Sequence, residues 1–100
     1  MRKPELHLVS KDCVVLDARG CKVTQDFVAE ALNTALGFET LGTQLSNRMP
    51  GEGLYIGPKA AQAVIYRMAS ISPLIFVGSR KEMTPQQTRA LVQKTLDLKG

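Results

Sequence analysis

The sequence predicts a small α/β domain of the α+β kind, with a mixed sheet of four to five strands packed against three helices in the order ββαββαβα. Three observations predict it. The runs CVVL at 13–16 and LIFV at 74–77 are short and apolar without alternation, as expected of strands covered on both faces. Three other stretches carry apolar residues at helical spacing behind a capping residue or a proline. Two β–α–β passages favour parallel pairs with right-handed crossovers, and two hairpins add antiparallel pairs.

The elements follow in order. Leu6 and Leu8 alternate with His7 and Val9, which suits a half-buried strand. A short polar connection at 10–12 makes a hairpin to the strand at 13–16, and Asp17 ends that strand, placed to cap the turn after it. Thr24 is a good N-cap, with Asp26 in the first turn of a helix whose apolar face is Phe27, Val28, Ala31, Leu32, Ala35 and Leu36. Gly37 closes that helix. The stretch 38–45 reads as an edge strand and 47–53 as a loop. Leu54, Tyr55 and Ile56 form a brief strand, and Pro58 opens a second helix with the stripe Ala61, Val64, Ile65 and Met68. Pro73 starts the central strand, and Thr84-Pro85-Gln86-Gln87 is a capping box for a last helix carrying Leu91, Val92, Thr95 and Leu96 inward.

One hundred residues make a single domain, 1–100, large enough for two packed layers. With no tryptophan, its core must be built mainly from aliphatic side chains. The basic N-terminus has no continuous apolar segment behind it, and no stretch approaches the roughly 18 apolar residues of a membrane span. A cytoplasmic protein without membrane contact is therefore expected, with Cys13 and Cys21 reduced. Their spacing matches no zinc or redox motif, and His7, the one histidine, cannot complete a site, so no metal or cofactor is expected.

The net charge of +4 is compatible with a polyanionic partner. Each strand-to-helix passage carries basic residues: Arg19 and Lys22 at the first, Lys59 at the second, Arg80 and Lys81 at the third. Were those three strands parallel, these loops would gather on one rim with three helix N-termini, where N–H groups and helix dipoles favour anions. No loop matches the Walker or dinucleotide fingerprint. Nor is there an RNA-recognition strand, a KH clamp or a zinc finger. Of only five aromatics Phe27 and Phe76 look buried, and Tyr55 and Tyr66 fall in a strand and a helix face assigned to the core, so few could stack on bases.

The sequence thus predicts a non-catalytic binding domain that contacts nucleic-acid backbone or another polyanion through Arg19, Lys22, Lys59, Arg80 and Lys81. The alternative is a protein-interaction or homodimerisation module using the edge strand and the 46–53 loop, through Leu41, Arg48 and Met49. A small enzyme built from Asp12, Asp17, His7, Cys13, Cys21 or Ser79 is the weaker reading, because no third group orients His7 beside a cysteine, packing accounts for the thiols and Asp17 more often caps the turn.

Overall fold

The computed structural model describes residues 3–37, 44–46, 53–56, 64–81 and 83–97. Strands β1 (Glu5–Leu8) and β2 (Cys13–Asp17) come first, then helix α1 (Gln25–Ala35). Strands β3 (Gln44–Ser46), β4 (Gly53–Ile56), β5 (Val64–Arg67) and β6 (Ile75–Ser79) follow, and helix α2 (Pro85–Leu96) is last. The strands form one sheet in the order β1-β2-β6-β5-β4-β3. Every neighbouring pair is antiparallel. The result is a small mixed α+β domain with an antiparallel sheet and, among the described residues, two helices.

Both helices begin and end where the local chemistry dictates. Thr24 Oγ1 accepts the Phe27 N–H (3.1 Å), and at the other end of α1 Gly37 adopts φ +81° while its N–H donates to Thr34 O (3.0 Å). That is the left-handed closure for which glycine is suited. For α2 the capping box is complete: Thr84 Oγ1 accepts the Gln87 N–H (3.1 Å) and Gln87 Oε1 accepts the Thr84 N–H (3.0 Å). Pro85 occupies the first helical position, where no N–H is needed.

The helices lie on opposite faces of the sheet. Val28, Ala29, Leu32 and Leu36 of α1 bury against Val14, Leu16, Ile65 and Phe76. On the other face Val92 of α2, with Leu91 and Leu96 partly buried, packs on Val15, Tyr66, Ile75 and Val77. Alternate residues of β2 and β6 thus serve two cores, which is why their sequences are apolar without alternation. α1 packs tightly over β6 at Gly78, where a Cβ would meet Leu32 Cβ at 3.2 Å and both Leu36 Cδ1 and Val14 Cγ2 at 3.3 Å.

Several expectations need correction. Among the described residues no strand pair is parallel, and strand direction is something the local pattern that identifies a strand does not carry. The expected helix over Pro58 to Met68 is replaced, in its described part, by strand β5. Val64, Ile65 and Tyr66 are β-branched or aromatic, and Ile65 and Tyr66 face opposite cores, as alternation in a strand requires. Positions 58 and 61 lie outside the described residues, as do 38–43 of the expected edge strand. Its remainder is found in β3, which does lie at an edge. Phe27, assigned to the inner face of α1, is 43% exposed. The half-buried face expected of Leu6 and Leu8 in β1 is not found: Leu6 and Leu8 are exposed with Glu5, and only His7 is half-buried. Among the described residues no helix is long and apolar enough to cross a membrane.

Candidate functional site

The antiparallel register of β2 and β6 decides where the basic residues fall. Cys13 lies opposite Ser79 and Asp17 opposite Ile75, so the C-terminal ends of the two strands are at opposite ends of the sheet. Arg19 and Lys22 therefore sit at one end, Arg80 and Lys81 at the other. The shared rim required parallel strands, and its condition is not met. Lys59 lies outside the described residues, as do Leu41, Arg48 and Met49.

At the first end, Arg19 closes onto Asp17. Its Nε donates to Oδ1 at 2.9 Å, its Nη2 to Oδ2 at 2.8 Å, and its backbone N–H to Oδ1 at 3.1 Å. Asp17 is only 3% exposed. This fork-on-carboxylate pairing neutralises a buried charge. The hydrogen bond to Asp17 also raises the Arg19 pKa above its ordinary value, so the guanidinium stays charged. Lys22 beside it is exposed.

At the opposite end, Arg80 holds elements together. Its backbone N–H donates to Asp12 O (2.9 Å), its Nε lies 3.9 Å from Asp12 Oδ1, and its Nη2 donates to Leu36 O at the end of α1. A cation there satisfies a helix-terminal carbonyl and complements the helix dipole. Lys81 is exposed, and its backbone N–H donates to Ser79 Oγ (3.0 Å).

Lys81 also borders a groove of about 560 Å³ between the end of β6 and helix α2. The sheet contributes Cys13 and Ser79, cross-strand partners whose Sγ and Oγ lie 3.5 Å apart. Met83, Ala90 and Leu91 supply apolar walls, and Lys94 stands across from the β6 end on α2. Gln87, Leu91 and Lys94 follow one another at helical spacing, so one face of α2 lines the groove while Thr88 and Val92 point into the fold. The loop wall is pinned by Tyr66, whose hydroxyl accepts the Met83 N–H at 2.7 Å. Among the described residues the lining contains two lysines and no carboxylate.

Cys13 is engaged with Ser79, whereas His7 Nε2 lies 3.6 Å from Glu5 Oε2, so thiol and imidazole face different neighbours. Both cysteines are free, and among the described residues no group of three or more His, Cys, Asp or Glu could hold a metal ion. Sequence reasoning reaches Lys81 but misses Lys94 and the groove walls, because it searches strand-to-helix loops and ignores the outer face of the last helix. The helical spacing of Gln87, Leu91 and Lys94 is the pattern that would have found them. No protein-family model matches the chain, and neither a curated protein nor a solved structure does.

Proposed function

We propose that the domain is a non-catalytic binding module for an anion with an apolar body, held in the groove between β6 and α2. The supporting observation is that Lys81 and Lys94 both border a mostly apolar groove, with Ser79 and Gln87 as its other polar groups and no carboxylate among the described lining residues. A concave, mostly apolar site with a few converging polar groups is the usual form of a small-molecule pocket. Lysine acts there as a point charge for a carboxylate or phosphate, and the methylene stems add apolar surface.

Of the five cations expected to grip a polyanion, Arg19 and Arg80 hold the fold together and Lys22 lies at the far end of the sheet. That dispersal supports a compact ligand over a nucleic-acid backbone. Calorimetric titration with decanoate, beside anisotropy titration with labelled single-stranded DNA, tests the reading. Saturable decanoate binding that is lost in Lys81→Glu/Lys94→Glu and kept in Lys22→Glu is expected. DNA binding that falls with salt and is weakened by Lys22→Glu would instead favour the polyanion.

A further inference from the structure

Strand β1 is one outer edge of the sheet; on one face it exposes Leu6 (43%) and Leu8 (71%), with Val9 just beyond its end 38% exposed, and on the other it carries exposed Glu5 and half-buried His7. Edge strands are ordinarily protected against pairing by charge, proline or cover. The Val9 N–H donates to Cys13 O (3.2 Å), so ladder alternation turns the backbone groups of Glu5 and His7 toward β2 and those of Leu6 and Leu8 outward. The outward row therefore offers N–H and C=O from Leu6 and Leu8, and C=O alone from Pro4.

We infer that β1 pairs antiparallel with β1 of a second copy of this chain, in the register that sets Leu6 opposite Leu6. The backbone fits that register: each Leu6 N–H meets the other Leu6 C=O, and each Leu8 N–H meets a Pro4 C=O. The missing proline N–H then costs nothing at the centre of the pairing. The side chains fit on both faces. Leu6 shares the face of its partner Leu16 and the α1 core, and there the pairing joins Pro4, Leu6 and Leu8 to Leu8, Leu6 and Pro4. On the face of Val15, Glu5 of each copy meets His7 of the other, a carboxylate against an imidazole. Within one chain Glu5 Oε2 already lies 3.6 Å from His7 Nε2, so the two pairs form one polar cluster. Neighbouring symmetric registers lack this match. Centring on His7 stacks His7 on His7, and centring on Glu5 sets His7 against Lys3. The second copy is thus selected by the strand's own complementarity.

Sedimentation velocity from micromolar to millimolar protein tests the pairing, with circular dichroism confirming that each variant is folded. A monomer–dimer equilibrium is expected in the wild type. Leu6→Lys sets two cations face to face and weakens it by about tenfold or more. Glu5→Lys, an exposed change that leaves the α1 core untouched, also weakens it, and adding His7→Glu restores it. A wild type that stays monomeric at millimolar concentration overturns the inference and leaves the edge to a strand of another protein. A dimer indifferent to Leu6→Lys, or not recovered by the charge exchange, overturns it too.

Discussion

The guanidinium of Arg80 donates to the carbonyl of Leu36, tying the end of β6 to the end of α1. A residue that looks like a surface cation in the sequence is a joint between sheet and helix. Arg80→Ala should lower stability by about 1 kcal/mol, because the lost hydrogen bond is charge-assisted but partly exposed. Urea denaturation would show a lower midpoint with an unchanged slope. Decanoate affinity of the folded variant should equal that of the wild type, since Arg80 does not line the groove.

Asp17 and Arg19 behave differently from a surface pair, because the carboxylate is buried and the guanidinium only partly so. Arg19→Ala leaves the carboxylate without its fork and should cost about 3 kcal/mol. Asp17→Asn keeps an acceptor for the arginine and should cost less, about 1–2 kcal/mol. Denaturation of the two variants side by side checks the order, and an equal loss would mean that the pair contributes as exposed pairs do.

Gly78 permits a close approach of α1 to the sheet, with Leu32, Leu36 and Val14 all at the edge of contact with an added Cβ. Gly78→Ala should destabilise by about 1–3 kcal/mol through overpacking. Gly78→Val should cost more. A stabilising alanine, read from the thermal midpoint, would mean that α1 shifts freely over β6.

Cys13 reports on the groove, because it is half-buried there while Cys21 is buried in the α1 core. Modification by N-ethylmaleimide, followed by mass spectrometry, should reach Cys13 first. Saturating decanoate should slow that reaction several-fold without changing the rate at Cys21. Equal slowing at both thiols would indicate a general tightening of the fold instead of occupancy of the groove.

Much of the fold is legible wherever the information is local. The caps at Thr24, Gly37 and Thr84 depend on a few neighbouring residues and are found where the sequence places them. β5 is misread because Val64 and Met68 are spaced alike for a helix turn and for alternate strand positions, and short apolar runs are ambiguous between the two. The opposition of Arg19 and Arg80 depends on strand direction, which no short stretch encodes. Lys81 is legible as a loop cation. Its partnership with Lys94 is not, since it arises only when α2 lies back across the sheet.

The measurement that bears most directly on the groove is a decanoate titration of the isotopically labelled protein, followed through backbone amide NMR shifts. Saturable shifts concentrated at Cys13, at 79–81 and on the Gln87, Leu91 and Lys94 face of α2 are expected, and they should vanish in Lys81→Glu/Lys94→Glu. Shifts centred instead on Arg19 and Lys22, or unchanged by the double reversal, would contradict an anion site at the groove.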